Sequence, residues 1–165
     1  MQQPITNIYI DLDGVITDFN RQFQSLETNK SKLLPYQYIK KYNDETFWSL
    51  IKPFGIPFWS KMKWKLDGQD LLQWIHKHTK GITKEFLSTP SEEKESEIGK
   101  KIWIKNMTHN CYPLILSKEK FKYATPTSIL IDDYDKNIKE WIKAGGIGIL
   151  HINTKDTIKQ LKEYL

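Results

Sequence analysis

Asn7-Ile8-Tyr9-Ile10-Asp11-Leu12-Asp13-Gly14-Val15 opens as an apolar, β-branched run and breaks into two carboxylates and a glycine. The run reads as a buried strand over 7–12. Gly14 permits a sharp loop where Asp11 and Asp13 meet the strand's end. Working outward, four further runs read as strands: Ile82 to Leu87 ending in Ser88-Thr89-Pro90, Pro113 to Ser117, Ser128 to Asp133, and Ile147 to His151. Helical patterns separate them. Asp67 to Lys80 carries Leu71, Leu72, Trp74 and Ile75 at helical spacing, with Asp67 as N-cap. Ser91 to Asn106 turns Ile98, Ile102 and Trp103 inward, Tyr134 to Ala144 is closed by Gly145-Gly146, and Thr154 to Leu165 ends the chain. Strands and helices alternating at this spacing predict a Rossmann-like parallel α/β sheet with helices on both faces.

One region breaks the alternation. Asp18 to about Lys30 reads as a helix, and Leu33 to Trp64 is aromatic and punctuated by Pro35, Pro53, Gly55 and Pro57. That pattern predicts short helices and a loop rather than a strand. The expected organisation is therefore a catalytic core over 1–17 and 81–165 with a small helical cap, 18–80, inserted after the first strand. A chain of 165 residues suits such a plan. Its 39% hydrophobic and 27% charged residues exclude a disordered tail and a membrane protein. Aromatics reach 13%, with 6 Trp, and many of them lie between Tyr36 and Trp74.

No run approaches the roughly 20 apolar residues of a spanning helix. The stretch from Met1 to Asn7 lacks the basic and apolar segments of a leader. Cys111 stands alone, which excludes an internal disulfide and a cysteine-based zinc site. These features predict a soluble cytoplasmic protein, a monomer or homodimer. The net charge is +5, from 25 Lys+Arg against 20 Asp+Glu, and Arg21 is the sole arginine. A basic balance attracts phosphates, in nucleic acid or in a small anionic substrate. Lysine lacks the planar fork of arginine, so bidentate base readout is disfavoured.

Parallel α/β sheets hold ligands at the carboxyl ends of their strands. Four of the five expected strands end in suitable groups: Asp11 and Asp13; Ser88 and Thr89; Ser117, Lys118 and Lys120; Asp132 and Asp133. Four converging carboxylates repel one another unless a cation neutralises them, and an all-oxygen set favours Mg²⁺. A carboxylate nucleophile beside a second carboxyl, a hydroxyl and a lysine suits phosphoryl transfer. Asp11 could attack phosphorus, and Asp13 could protonate the leaving oxygen and later deprotonate water. Ser88 and Lys120 would hold charge on the transferring oxygens.

These ordered motifs resemble those of the haloacid-dehalogenase-like (HAD) phosphohydrolases, over most of the chain. Asp11-Leu12-Asp13-Gly14-Val15-Ile16-Thr17-Asp18-Phe19 is similar to the extended first motif of the 5'(3')-deoxyribonucleotidase branch. Phe86-Leu87-Ser88-Thr89-Pro90 is similar to that branch's Thr-Ser-Pro segment, with the hydroxyl residues exchanged. The resemblance implies Asp11 as nucleophile, Asp13 as acid/base, and Mg²⁺ held by Asp11, the Asp13 carbonyl, Asp132 and Asp133. It implies a small nucleotide as substrate, with Phe19, Phe47 and Trp48 stacking on the base and Thr89 and Lys118 at the phosphate; a polynucleotide end is the alternative ligand. Two departures stand out. Lys118 occupies a position where the branch carries arginine, which keeps the charge and loses the fork. The third-motif lysine is Lys120 by its distance from Tyr123-Ala124, with Lys122 as second choice.

Each residue also has a plainer reading. Asp-Gly is a common turn pair, Ser88-Thr89 or Asp132-Asp133 could cap the helices that follow, and the cap aromatics could be that segment's own core. Trp74, Trp103 and Trp141 read as core, Cys111 as a small buried residue, and His76 and His78 as a poor metal pair.

Overall fold

A computed structural model describes residues 3–165, so Met1 and Gln2, within the stretch read above for a leader, lie outside it. In chain order the elements are β1 Asn7–Ile10, α1 Phe19–Ser25, α2 Pro35–Lys41, α3 Asp44–Ile51, α4 Gly55–Ser60 and α5 Gly68–His78. They continue as β2 Thr83–Ser88, α6 Lys94–Thr108, β3 Leu114–Leu116, β4 Ser128–Asp132, α7 Asp135–Lys143, β5 Ile147–Leu150 and α8 Thr154–Leu161. Short 3-10 turns occupy Lys52–Phe54 and Lys120–Tyr123. Every expected strand forms, each within a residue or two of its expected limits.

The five strands make one parallel sheet in the order β3-β2-β1-β4-β5. The chain runs outward from β1 through β2 to β3, then returns to lay β4 on the other side of β1. The strand order therefore reverses between β1 and β4, which opens a crevice beyond their carboxyl ends. Registers pair Tyr9 with Leu130 and Ile10 with both Ile131 and Phe86. Alternation then sends Tyr9, Leu87 and Leu130 to one face, where they pack with Ile138 and Trp141 of α7. Ile8, Ile10, Phe86, Ile129 and Ile131 point to the other face and are also fully buried. Burial on both faces explains why these strands read as continuous apolar runs.

The chain divides into two compact units. The sheet unit comprises residues 3–17, 64–89 and 111–165, and the helical unit comprises 18–63 and 90–110. This differs from the expected 18–80 insertion in two respects. Residues 64–80 cluster with the sheet, because α5 packs on α8 and Gly68 lies against the backbone of Ile16, where a Cβ would come within 2.8 Å of the Ile16 carbonyl. Residues 90–110 cluster with the inserted helices, because α6 packs along α4.

That packing also turns α6 around relative to expectation. Ser96, Gly99, Lys100, Trp103 and Ile104 are buried, whereas Ile98 and Ile102 are exposed. Gly99 allows the close approach: a Cβ there would lie 2.4 Å from the Trp59 Cβ and 2.9 Å from the Ile56 carbonyl oxygen. Trp103 Nε1 donates to the Met62 carbonyl at 2.8 Å, and the Lys100 ammonium lies 5.2 Å from the Trp59 ring centre. Phe23, Tyr38, Phe47, Phe58 and Trp59 are buried in the helical unit, giving a small unit the large side chains it needs. Trp74 is half-buried and stacked on His78 rather than a core residue. Cys111 is exposed rather than buried.

Asp67 precedes α5 but does not cap it with its side chain. Its carboxylate instead accepts from the Thr154 backbone N–H at 2.8 Å, and its carbonyl accepts from the Thr154 hydroxyl at 2.9 Å, tying the start of α5 to the start of α8.

Candidate active site

Residues after β1, β2 and β4 and on the Lys120–Tyr123 turn build the site, all within the sheet unit. Asp11 directly follows β1, and its backbone N–H donates to the Ile131 carbonyl at 2.9 Å, so the sheet ladder fixes its position. The chain then turns tightly. Ile16 and Thr17 N–H groups both donate to the Leu12 carbonyl at 2.8 Å, and the Gly14 N–H donates to the Thr17 carbonyl at 2.9 Å. The Thr17 hydroxyl donates to Asp13 Oδ1 at 2.9 Å and so orients that carboxylate. Gly14 adopts φ +85°, and a Cβ there would lie 1.9 Å from Asp133 Oδ2. Glycine is required twice, by the backbone conformation and by the carboxylate packed against it.

Lys120 is 3% exposed and joins the two motif strands. Its Nζ lies 2.8 Å from Asp11 Oδ1 and 2.6 Å from Asp132 Oδ2. Burial opposes its charge, but Asp11 and Asp132 outweigh that penalty and hold its pKa above the ordinary lysine value. Lys122 instead points to the surface and pairs with Glu119. Of the two lysines left open by the sequence, the fold brings Lys120 to the carboxylates. Lys118 and Thr89 are exposed, while Ser88 is buried at the end of β2.

Asp132 ends β4 with no exposed surface. Its Oδ2 also accepts from Asn137 Nδ2 at 2.9 Å, and its Oδ1 from the Tyr134 N–H at 2.8 Å. Asn137, on the first turns of α7, belongs to the site and escaped the sequence reading. An amide five residues after the first acid of the pair was the available signal.

Asp11, Asp132 and Asp133 each offer a carboxylate oxygen, and these oxygens lie within 4.8 Å of one another. The Asp133 carboxyl is pushed up to about 7 by desolvation and by the charges of Asp11, Asp132 and Asp13, while Lys65 pulls it down. With Asp133 ionised, four carboxylates against Lys120 and Lys65 leave a net charge of about −2. An oxygen-only donor set with that charge fits one divalent cation of the Mg²⁺ type.

The three aromatics expected at a base lie in the helical unit, in different settings. Phe47 is 2% exposed, with its ring 4.6 Å from Phe23, so it is part of that unit's core. Phe19 is half-buried against Phe58 and Trp59. Trp48 is 39% exposed and stacks on Trp59. Among the described residues no helix is long and apolar enough to cross a membrane.

Neither a protein-family model nor a curated protein matches the chain. Solved structures do. A hydrolase from Streptococcus pneumoniae TIGR4 is similar over 97% of this chain and 100% of its own, with TM-score 0.59 and 17% identity. A HAD-superfamily hydrolase, subfamily IA, variant 1, from Geobacter sulfurreducens PCA covers 95% and 96%, with TM-score 0.59 and 10% identity. A hydrolase from Pseudomonas syringae covers 97% and 99%, with TM-score 0.53 and 15% identity. At these identities the likeness speaks for the architecture, and the chain has the α/β fold found in HAD-superfamily hydrolases.

Proposed function

We propose that this protein is a Mg²⁺-dependent phosphomonoester hydrolase acting on a small nucleotide, a deoxyribonucleoside or ribonucleoside monophosphate. The observation that carries the reading is the buried Lys120 bridging Asp11 and Asp132, with Asp133 beside them. Lys120 at 2.8 Å holds the Asp11 carboxylate in place at the end of β1, where it can act as a nucleophile.

An Asp11 carboxylate oxygen attacks phosphorus and the bond to the ester oxygen breaks, giving an aspartyl-phosphate. Asp13, oriented by Thr17, gives its proton to the leaving oxygen. Water then attacks the phosphoryl group, Asp13 takes its proton, and inorganic phosphate leaves with Asp11 restored. Lys120 and Ser88 hold charge on the phosphoryl oxygens, and Lys118 and Thr89 supply contacts from the exposed ends of their loops. Asp11, the Asp13 carbonyl, Asp132 and Asp133 would hold Mg²⁺, which when bound neutralises charge on the transferring group. Phe19, Phe47 and Trp48 are the aromatics proposed to stack on a nucleobase.

Phosphate release from a panel of nucleoside monophosphates, with and without EDTA, tests this. Metal-dependent release, abolished in Asp11→Asn, is the expected result. No metal-dependent release from any member would overturn it. Faster release from an end-labelled oligonucleotide would move the reading to polynucleotide ends, which the net charge of +5 also suits. Salt-sensitive nucleic-acid binding without turnover would make the protein an idle binding module.

A further inference from the structure

Lys65 stands where the chain re-enters the sheet unit; in sequence it belongs to the run Lys61, Lys63 and Lys65, which reads as a solvated face or a phosphate-attracting rim and not as a motif residue. Thr17 and Trp64 form an isolated antiparallel bridge, and the Lys65 backbone N–H donates to the Ile16 carbonyl at 2.8 Å. The return strand is thereby pinned alongside the turn that carries Asp13. The Lys65 side chain folds back over that turn, and its Nζ donates to the Gly14 carbonyl. Gly14 is in turn the residue against which the Asp133 carboxylate packs. One glycine thus separates the lysine from the exposed end of the carboxylate cluster.

We propose that Lys65 is a positioning residue of the phosphoryl-transfer site, clamping the turn that carries Asp13 and setting the net charge that the carboxylates present to a cation. The inference rests on the function proposed above. Lys120 is committed to Asp11 and Asp132, and Lys65, held on the Gly14 carbonyl, is the lysine on the Asp133 side of the cluster. With both lysines the four carboxylates keep a charge near −2, matched by one divalent ion. Without Lys65 the charge is near −3, and the cluster attracts cations more strongly and less selectively. A lysine serving only as a strut for the turn would be replaceable without any change in cation affinity.

The test is cation binding to the purified protein without substrate, by calorimetry with Mg²⁺ and by electron paramagnetic resonance with Mn²⁺. Lys65→Met and Lys65→Gln both remove the charge and should bind Mg²⁺ at least about tenfold more tightly. Tb³⁺ should gain more than Mg²⁺ in both. Lys65→Arg keeps the charge and should stay within about twofold of the parent. Urea midpoints verify that each variant is folded. Unchanged or weaker cation binding in the folded Met and Gln variants overturns the role of Lys65 while leaving the phosphatase reading intact. Failure of the parent protein to bind any divalent cation overturns both.

Discussion

Replacing Lys120 by methionine keeps the length of the side chain and deletes its charge. The parent lysine is 3% exposed and contacts Asp11 at 2.8 Å and Asp132 at 2.6 Å. Both carboxylates are buried, so the variant leaves two like charges in a poorly solvated crevice with nothing between them. Breaking a buried ion pair in this way costs about 3–5 kcal/mol. With a urea slope of about 2 kcal/mol per molar for a chain of this size, the unfolding midpoint should fall by roughly 1.5–2.5 M at pH 8 without added metal. The pH dependence has a definite sign. Lys120 has its pKa raised, so its contribution is present throughout the range below 10.5, the ordinary lysine value, and is lost only as pH rises through the still higher folded value. A midpoint within about 0.5 M of the parent at pH 8, about 1 kcal/mol and the scale of a surface ion pair, would refute the buried bridge.

Four further outcomes follow from the structure. His151 is buried with its pKa pushed down to about 4, first by burial and then by Lys65, against an opposing pull from Asp67. The unfolded chain takes up this proton near 6.5 and the folded one does not, so stability intact above 6.5 should fall by about 3 kcal/mol between pH 6.5 and 4. Denaturant titrations across that range should show the loss, and His151→Gln should flatten it. Gly14→Ala should lower the melting temperature by only a few degrees, from a strained φ, while displacing Asp133 and costing most of the Mg²⁺-induced stabilisation in thermal melts. The Asp133 carboxyl, pushed up to about 7, must lose its proton to hold a cation. Apparent Mg²⁺ affinity should therefore rise by up to about tenfold per pH unit below 7 and level off above it. Gly99→Ala should destabilise by about 1–3 kcal/mol in thermal or urea unfolding, despite alanine's better helix propensity, because its Cβ meets Trp59 and the Ile56 carbonyl.

The strands and their chemistry were legible because both signals are local. A buried parallel strand writes itself as a short apolar run, and a site at its end as polar residues directly following. Ile10 leads into Asp11, Leu87 into Ser88 and Ile131 into Asp132 without a gap. The helical region was legible as a kind, from its prolines and aromatics, but not in its limits. Nothing local distinguishes α5, which packs with the sheet, from the short helices before it. The buried face of α6 followed Gly99 and Trp103 rather than Ile98 and Ile102, since its fit against α4 depended on a residue with no side chain.

Sequence by itself determined the parallel α/β sheet and the acidic, hydroxyl and lysine groups at its strand ends, because periodicity and strand-terminal residues are properties of neighbouring positions. Tertiary structure decided which lysine meets the carboxylates, that Phe47 is part of a core while Trp48 stays exposed, and that Lys65 closes on a carbonyl 51 residues away. Those outcomes depend on strand order and on where the chain re-enters the sheet. Both are set by burial summed over distant residues rather than by any one stretch.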